Sequence, residues 1–417
     1  MAPNHRLDSA PDAESGGARP DLLRRLNRGR LVEAIRTEGP LTRAALARHT
    51  GMSYPTILKV VAELTAEGLL EEGEWVQPSL GRPGKALAMA GQGSQIASIV
   101  LGVERCTVAA AQLDGTLVAG SESVFQAPIS YRGLLDEIAA VLAALSRGAD
   151  KGWLIGVGIS LPGVIDREAG EVVVSPNLPW LNGEKLAADV ENVSGLPVTL
   201  VRAMHAHYLA EAVYGEGRGV DDFIVVNFAG GIGMGVSAGG RFLDGGGGMS
   251  GELGHITVEP EGKRCGCGNR GCLETVASDR AVVAAASERY GRAVTMDEVV
   301  ALSRSGDLEI DDVLNRAVDF FSIGMASAIN LFNPRRVILY GHFMDVRDDL
   351  FESFTAAAKE RAMAPLAAEV EILPPQRNPH GSQQIGAAAA LIEELVAGRS
   401  FRSLVRPPTP GTGALAL

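Results

Sequence analysis

The sequence predicts an α/β protein made of a small N-terminal winged helix-turn-helix and a larger body of sheets covered by helices. Three observations support this. Two short capped helices near the start are followed by a basic hairpin, strand and helix patterns alternate through the rest of the chain, and a glycine-rich segment gathers one His and three Cys. With 417 residues, the chain is long enough for two or three domains.

The composition is that of a folded, globular protein, because 46% of the residues are hydrophobic and 21% are charged. No apolar stretch is long enough to span a bilayer, so we expect no membrane partner. Residues 1–20 lack the charged-then-apolar pattern of an export signal. We expect this segment and the Pro/Gly-rich residues 399–417 to be loose tails of a cytoplasmic protein.

The charge is unevenly distributed along the chain. The net charge of −12 argues against nonspecific nucleic-acid binding by the whole surface. Residues 20–90, however, hold ten basic and eight acidic side chains, a balance of +2, so the remaining residues carry −14. A slightly basic front end on an acidic body is typical of a DNA-reading module joined to a sensor or an enzyme.

Residues 21–90 contain the signals of three helices and a β-hairpin. Apolar residues recur at helical spacing, and a Gly or Pro follows the end of each helix. Thr42 and Ser53 are placed as N-terminal caps, and Gly51 makes the turn between the helices that they begin. The predicted elements are helices over 22–37, 43–50 and 53–67, and strands over 69–76 and 86–89 joined by a hairpin tip at 79–85.

Two short helices joined by a Gly-containing turn and followed by a basic hairpin are typical of a winged helix-turn-helix, which binds double-stranded DNA. The second helix would lie in the major groove, and the hairpin would reach phosphate or the minor groove. The alternative is a three-helix interaction module whose polar face is merely solvated. The candidate DNA-binding residues are Arg43, Ser53, Tyr54, Thr56, Lys59, Arg82 and Lys85.

From residue 95 to residue 398, strand patterns alternate with helix patterns, which predicts sheets covered by helices. Asp114-Gly115 is a candidate turn. The predicted strands are 96–103, 107–113, 153–159, 197–201, 222–228 and 336–340, and the predicted helices are 131–147 and 203–214, with further helices beginning at Asp279, Asp312 and Asp349.

One short segment combines the ligand types of a zinc site. Residues 251–255 read Gly-Glu-Leu-Gly-His, and residues 265–274 read Cys-Gly-Cys-Gly-Asn-Arg-Gly-Cys-Leu-Glu. One His and three Cys in a Gly-rich loop are typical of a closed, structural zinc site. The alternatives are chance clustering and a disulfide, which Cys265 and Cys267 are too close to form comfortably. The predicted Zn²⁺ ligands are His255, Cys265, Cys267 and Cys272.

The zinc segment matches a pattern of the ROK family, which groups repressors, open reading frames of unknown role and sugar kinases. Residues 156–166, 176–180 and 385–389 match further family patterns. Gly-Arg-Pro-Gly at 81–84 resembles the end of the winged helix that the family's repressors carry and its kinases lack. The chain resembles this family from about residue 22 to residue 396. The resemblance implies an actin/hexokinase-like body, with two lobes around a sugar cleft.

The resemblance also shows where the chain departs from the family's kinases. Those kinases carry an Asn-Asp pair whose Asp accepts the proton of the sugar hydroxyl, and the equivalent residues here are Arg202 and Ala203. A methyl group cannot accept a proton. His205 is either a substitute base or, as we favour, a residue that packs near the lobe interface together with His207.

Both phosphate loops of the kinases are altered as well. Residues 100–104 read Val-Leu-Gly-Val-Glu where the family has Asp-x-Gly-x-Thr, and residues 229–233 read Ala-Gly-Gly-Ile-Gly where it has Gly-Thr-Gly-x-Gly. A carboxylate at position 104 would repel phosphate oxygens. The second loop keeps backbone amides that could cradle an anion but lacks the Thr hydroxyl. We therefore expect a body without catalytic residues.

By the same resemblance, the zinc segment would hold sugar hydroxyls, because carboxylates accept hydrogen bonds from vicinal hydroxyls while zinc fixes their loop. Arg202 leaves two interpretations open. Its guanidinium pairs with a sugar phosphate or sugar acid, or it forms a salt bridge with Glu252 or Glu274 that closes the site. The implied effector-binding residues are Glu252, His255, Glu274, Asn177 and Arg202.

Together these features predict a DNA-binding transcriptional regulator of carbohydrate genes, most simply a repressor, whose body senses a sugar, sugar phosphate or sugar acid without catalysis. A homodimer, or a dimer of dimers, would place two winged helices on a palindromic operator. Two alternatives are a sugar kinase with an unusual base and a regulator whose input is another protein.

Overall fold

The computed structural model describes residues 20–76, 83–91, 94–147, 153–376 and 378–397. The elements of the front end are α1 (Pro20–Glu38), β1 (Leu41–Thr42), α2 (Arg43–Thr50), α3 (Tyr54–Ala66), β2 (Leu70–Val76) and β3 (Gly84–Met89). The three strands form an antiparallel sheet in the order β1-β3-β2. The predicted helices and hairpin strands are confirmed, and β1 is an addition. Residues 79–82 of the predicted hairpin tip, Arg82 among them, lie outside the described residues.

The local signals that define α2 and α3 are realised as caps. Thr42 Oγ1 accepts a hydrogen bond from Ala45 N at 3.3 Å, and Ser53 Oγ accepts one from Thr56 N at 3.4 Å. Gly51 ends α2 with φ = 70°, a left-handed conformation that glycine adopts without strain. The turn between these two helices is therefore specified by residues within it.

The first lobe of the body is a mixed five-stranded sheet in the order β10-β7-β4-β5-β6, in which the last three strands are antiparallel and β7 is parallel to β4 and β10. The strand predicted over 96–103 ends at Val100, because the next residues turn the chain into β5. The elements of this lobe are β4 (Ser94–Val100), β5 (Arg105–Gln112), β6 (Ser123–Gln126), α4 (Tyr131–Arg147), β7 (Trp153–Leu161), the β8 (Val164–Asp166) and β9 (Glu171–Val174) hairpin, α5 (Leu186–Ser194) and β10 (Val198–Arg202).

The second lobe repeats this plan in the order β13-β12-β11-β14-β15, with three antiparallel strands followed by two parallel ones. Its strands are β11 (Phe223–Asn227), β12 (Gly233–Ala238), β13 (Arg241–Phe242), β14 (Arg336–Tyr340) and β15 (Glu371–Ile372). Its helices are α7 (Glu274–Ala277), α8 (Asp279–Tyr290), α9 (Met296–Ser305), α10 (Asp311–Phe332), α11 (Leu350–Arg361) and α12 (Ala364–Glu369). No helix in the described part of the chain is both long and apolar enough to cross a membrane.

Two helices pack against each other and connect the lobes. α6 (Ala203–Tyr214) contacts the second sheet, and α13 (Pro379–Val396) lies on the first. They meet backbone to backbone at Gly386, where a Cβ would lie only 1.8 Å from the carbonyl oxygen of Ala206. α6 is confirmed at its predicted bounds, whereas α13 was represented in the sequence only by a family motif at 385–389.

The front end shares its apolar core with the body. Leu31 of α1 and Ile57 of α3 belong to the same buried cluster as Leu391, Ile392 and Leu395 of α13. Although the sequence pattern changes near residue 90, the buried apolar core is continuous across that point. Burial of this shared apolar surface holds the front end on the end of α13.

Candidate functional site

The start of α3 carries four of the residues predicted to read DNA. Tyr54 is half exposed and Lys59 is exposed. Ser53 Oγ and Thr56 Oγ1 lie 2.7 Å apart within the cap, so these two hydroxyls are engaged with each other. Leu58, beside Lys59, is an exposed apolar side chain that the sequence did not single out. The structure brings these residues together at one end of the helix.

Arg43 and Lys85 are both bound by one carboxylate, Glu72. Arg43 Nη2 lies 2.6 Å from Glu72 Oε1, and Lys85 Nζ lies 2.9 Å from Glu72 Oε2. Hydrogen bonds from Lys85 and Arg43 lower the pKa of the Glu72 carboxyl. β2 also carries Glu71 and Glu74, so the described part of the hairpin is more acidic than we predicted. In this structure both predicted phosphate contacts are therefore paired with an acidic side chain of the hairpin itself.

The four predicted zinc ligands converge. One ligand atom from each of His255, Cys265, Cys267 and Cys272 lies within 4.8 Å of the other three, so these groups could hold a metal ion. Cys265 Sγ is 3.6 Å from His255 Nδ1, and Cys267 Sγ is 3.7 Å from Cys272 Sγ. A tetrahedral zinc with Zn–S bonds of about 2.3 Å sets its ligand atoms about 3.5–3.8 Å apart, which fits both distances. All the cysteines are free thiols, which excludes the disulfide alternative in this structure.

Backbone hydrogen bonds shape the loop around this cluster. Cys265 N donates to Asn269 O at 2.8 Å, and Gly268 N donates to Cys265 O at 3.0 Å, which folds residues 265–269 into a tight turn. Gly271 has φ = 65°, and a Cβ there would lie 1.5 Å from the carbonyl oxygen of Glu259. Only glycine fits at this point, which explains why a glycine immediately precedes the last cysteine.

Two carboxylates adjoin the cluster. Glu252 Oε2 is 3.7 Å from His255 Nε2, the ring nitrogen that does not face the thiols. Glu274 Oε2 accepts a hydrogen bond from Ile232 N at 3.1 Å, and Glu274 Oε1 is 3.3 Å from Arg280 Nη2. The Glu252 side chain is 61% exposed and the Glu274 side chain only 15%. Glu252 is therefore open to a ligand, whereas Glu274 ties the zinc segment to the glycine loop at 229–233.

Arg202 is paired with a carboxylate that the sequence did not indicate. Arg202 Nη2 lies 3.0 Å from Asp244 Oδ1, and its guanidinium carbon lies 5.7 Å from the centre of the Phe242 ring. Arg202 is 13% exposed and Asp244 is 60% exposed. Asp244 thus takes the place that we assigned to Glu252 or Glu274 in one of the two interpretations. The reason is that β13 directs residues 243–251 over the start of α6, so that Gly248 approaches the guanidinium.

The glycine loop after β11 connects the zinc segment to the start of α6. Met234 N donates to Gly251 O at 2.9 Å, next to Glu252. A Cβ at Gly233 would lie 2.9 Å from the side chain of Met204, near the start of α6. The carboxylates and the position of the kinase base therefore adjoin one loop. Asn177 is exposed in a turn of the first lobe, and among the described contacts none joins it to this group.

His205 and His207 are buried in packing contacts, as we favoured. The His205 ring stacks on Phe242 with ring centroids 4.2 Å apart, and burial lowers its pKa to about 3. His207 Nδ1 lies 3.0 Å from Ser382 Oγ, and its Nε2 lies 3.1 Å from Asn227 Nδ2. Burial lowers the pKa of His207 to about 3 as well. Both rings are neutral at ordinary pH and are very weak bases.

Asp279, predicted only as the start of a helix, is a buried carboxylate beside the glycine loop. It accepts hydrogen bonds from His342 N at 2.9 Å and Phe343 N at 2.7 Å, and one of its oxygens lies 3.1 Å from His342 Nδ1. Burial raises the pKa of Asp279, and these hydrogen bonds oppose that rise. The residue ties the start of α8 to the end of β14. No local signal indicates this contact, because its partners are 63 and 64 positions away.

Comparison with known families decides the classification of the body. The model of the ROK family matches residues 96–394. The chain belongs to the ROK family. The match runs from β4 to the last turns of α13, and the body has the family's actin/hexokinase-like α/β fold.

Individual ROK proteins resemble the chain over different lengths. It is 27% identical to the xylose repressor of Bacillus subtilis (strain 168) over 356 residues, which cover 85% of this chain and 91% of that protein. The crystal structure of a ROK family transcriptional regulator, a homolog of the E. coli Mlc protein, matches with a TM-score of 0.75 and 26% identity, covering 91% of this chain and 100% of that one. A ROK family glucokinase from Streptomyces griseus, in complex with glucose and AMPPNP, matches with a TM-score of 0.61 and 26% identity, covering 70% and 98%.

Proposed function

We propose that this ROK protein is a DNA-binding transcriptional regulator, a repressor of carbohydrate genes, whose body binds a sugar-derived ligand without catalysing phosphoryl transfer. One observation carries the proposal. A capped helix-turn-helix with a β-hairpin is packed onto a ROK body in which the position of the kinase base is Ala203. The regulator structure covers more of this chain than the glucokinase structure does, by an amount close to the size of the front end.

The front end would act as a winged helix-turn-helix. α3 enters the major groove with Tyr54, Thr56 and Lys59 near its exposed start, while Ser53 caps the helix. Arg43 and Lys85 exchange Glu72 for DNA phosphates, and release of that carboxylate is part of the energetic cost of binding. Arg82 is the remaining candidate contact of the hairpin. Two such modules on a homodimer, or on each half of a dimer of dimers, would match a palindromic operator with half-sites about one helical turn apart or a multiple of it.

Zinc would be held by His255, Cys265, Cys267 and Cys272, and it would supply no chemistry beyond fixing the loop. His255 would bind the ion through Nδ1, which faces Cys265, and its Nε2 lies on the side of Glu252. A sugar hydroxyl placed there would find an imidazole and a carboxylate already oriented. We therefore assign the primary ligand contacts to Glu252 and His255, with Glu274 shaping the site through the glycine loop.

The residues around α6 support a body without catalysis. Ala203 cannot accept a proton. Burial lowers the pKa of His205 to about 3, so this residue is too weak a base to replace an Asp. Residues 100–104 form the turn between β4 and β5 with Glu104 exposed, where a kinase needs a surface that attracts phosphate. Arg202 is the one cationic side chain that we assign to ligand contact. It would bind the acidic group of a sugar acid or sugar phosphate by exchanging Asp244, which is exposed enough to swing away.

Two measurements on the full-length protein test the proposal. In the first, the protein is titrated against the DNA upstream of its own gene and against random DNA of equal length. We expect clear preference for the upstream DNA. Lys59→Ala should weaken binding to every sequence and lower the salt slope by about one, whereas Lys185→Ala, an exposed change on the body, should not. Equal affinity for both DNAs would reject the proposal.

The second measurement is thermal unfolding of the protein with D-xylose, D-glucose, D-glucuronate, D-glucose 6-phosphate and ATP. A ligand that binds only the folded state raises the unfolding temperature. We expect stabilisation by a sugar or sugar derivative and none by ATP. Stabilisation by ATP, with release of ADP in the presence of a sugar, would show that the body is a kinase.

A further inference from the structure

The most deeply buried cation among the described residues, Arg28 in α1, lies where the front end meets the body. Its side chain is 1% exposed. Nη1 donates to Glu67 Oε1 at 2.8 Å, and Nη2 donates to Glu67 Oε2. Glu67 is the C-terminal cap of α3, the helix proposed to read DNA. Arg28 therefore holds the far end of that helix in a two-pronged, charge-assisted contact.

The same guanidinium also binds the body. Nε donates to the carbonyl oxygen of Val396 at 2.9 Å, and Nη2 donates to that of Leu395 at 2.9 Å. These carbonyls belong to the last turn of α13, where helix geometry leaves acceptors without partners and the helix dipole favours a cation. One planar group thus joins the C-terminal turns of α3 and α13. A residue that served only the packing of α1 on α3 would not need to contact α13.

The opposite end of α13 packs beside α6, whose first residues adjoin the proposed ligand site. Ser382 Oγ is 3.0 Å from His207 Nδ1, and Gln383 accepts a hydrogen bond from Ser160 Oγ at 3.2 Å. Gly386 then presses α13 onto the backbone of α6 at Ala206, one turn from the start of α6. Because interiors are close-packed, this contact leaves no free space between the two helices in which a displacement of α6 could be absorbed.

We propose that Arg28 is the positioning residue that couples the ligand cleft to the DNA-reading helix. It fixes the direction of α3 relative to α13, so that a shift of the α6–α13 pair changes the angle at which α3 meets DNA. This inference rests on the proposed function. Arg28 acts through Glu67 and contacts neither DNA nor ligand.

The chain provides a matched control for this role. Arg24, one turn before Arg28, pairs with Glu63 at 3.0 Å and so also joins α1 to α3. The Arg24 side chain is 52% exposed, and its described contacts do not include α13. Arg24→Gln therefore removes an α1–α3 ion pair while leaving the link to α13 intact.

The front end has other anchors, so replacement of Arg28 should leave the protein folded. Arg36 Nη2 lies 3.5 Å from the Tyr214 hydroxyl, and the shared apolar core is unaffected. If Arg28→Gln nevertheless fails to fold, Glu67→Gln serves as the second variant. Glu67 is 27% exposed, so its change is milder.

Amide hydrogen exchange tests the coupling without any ligand or DNA. In the full-length protein, Arg28→Gln and Glu67→Gln should both speed exchange in the last turn of α13, about tenfold relative to wild type, as well as in α3. Glu67→Gln is decisive, because the described contacts join Glu67 to α13 through Arg28. Arg24→Gln should change exchange in α1 and α3 alone. If Glu67→Gln leaves residues 391–396 at the wild-type rate, the proposal is overturned.

A double-mutant cycle measured by DNA affinity tests the functional consequence. Ser382→Ala loosens α13 at the cleft, roughly 20 Å along the helix from its capped end. Changes that far apart multiply within about twofold unless they are coupled. We expect Ser382→Ala with Arg28→Gln to deviate from the product of the single effects by threefold or more, and Ser382→Ala with Arg24→Gln not to deviate. If the effect of each double variant equals the product of its two single effects, the coupling is refuted.

The two experiments separate this inference from the proposed function. If the wild-type protein binds its upstream DNA no more tightly than random DNA, the assignment as a regulator fails. Hydrogen exchange still decides whether Arg28 links α3 to α13. If DNA binding is specific but Glu67→Gln leaves amide exchange in α13 unchanged, the proposed function is supported and the proposed role of Arg28 is rejected.

Discussion

The zinc segment and the start of α6 adjoin the same glycine loop, yet they differ in what they retain of the family pattern. In the zinc segment every side chain of the pattern is present, and the four ligand groups converge within 4.8 Å of one another. At the start of α6, Ala203 stands where the family resemblance implies the proton acceptor of the kinases, and the neighbouring Arg202 is engaged by Asp244. The zinc segment thus retains its polar groups, whereas position 203 at the start of α6 holds only a methyl group.

The two regions are also stabilised in different ways, which explains how this difference is tolerated. The loop at 265–272 has little apolar core of its own, so its shape depends on the ligand groups and on glycines such as Gly271. α6 is instead buried between the sheets and packed against α13 through Ala206 and Leu209. Loss of a carboxylate at its first residue leaves that packing untouched. The residue at position 203 can therefore vary without disturbing the packing of α6.

The largest effect should follow from breaking the zinc segment. Cys272→Ser replaces a fully buried ligand, and we expect zinc affinity to fall by more than about 100-fold because metal binding and folding of the loop are the same event. The checks are metal content after dialysis and proteolysis within 256–272. Cys106→Ser, at a buried thiol outside the cluster, is the control that should keep its zinc. Full zinc content in Cys272→Ser would contradict the assignment.

The next largest effect concerns α6 and pH. The pKa of His207 falls from 6.5 in a model peptide to about 3 in the folded chain, so the unfolded chain binds the proton more tightly. The stability that this neutral ring contributes is complete above about pH 6.5 and is lost as the pH falls toward the folded value. Between pH 7 and pH 5 the wild type should lose about 2 kcal/mol more than His207→Gln, measured by urea unfolding. Gln is chosen because its side-chain oxygen can still accept a hydrogen bond from Asn227 Nδ2. Parallel pH profiles would show that the ring titrates normally.

A smaller effect is expected from the ion pair above α6. Because Asp244 is 60% exposed, Arg202→Gln should lower the free energy of unfolding by less than about 1 kcal/mol. If the guanidinium also binds acidic ligands, the same variant should lose thermal stabilisation by D-glucuronate or D-glucose 6-phosphate and keep that by neutral sugars. Asp244→Asn is the matched change and should preserve or increase the thermal stabilisation by acidic ligands. A large loss of stability in Arg202→Gln would mean that the pair closes the site.

The smallest expected effect is a test of the missing base. Ala203→Asp restores the carboxylate of the kinases, and a general base typically contributes about 10²–10⁴-fold in rate. We still expect no sugar-dependent release of ADP above the rate without protein, because residues 100–104 and 229–233 also lack their phosphate-binding side chains. Intact folding of the variant is checked by its zinc content and DNA affinity. Measurable phosphorylation would show that the base alone separates this body from a kinase.

Much of the fold could be predicted because its signals are local. Thr42 and Ser53 cap α2 and α3 through amides three residues away, and periodicity placed α4 and α6 at their observed bounds. The zinc cluster was predictable for the same reason, since its ligands lie within 18 residues and glycines force the loop between them to turn back. A short-range pattern restricts its own conformation, so the sequence alone determines it.

Contacts between distant segments were not predictable. Arg202 finds Asp244 across 42 positions, and Arg28 finds Leu395 across 367. A free Arg has many carboxylates within reach of a flexible chain, and only the packing of sheets and helices selects one. The sequence by itself determined the front-end helices, the His/Cys cluster that could hold a metal ion, and the methyl group at position 203. Only the tertiary structure decided which charges are paired and that the last helix ends on the front end of the chain, because those contacts depend on how elements far apart in the sequence pack together.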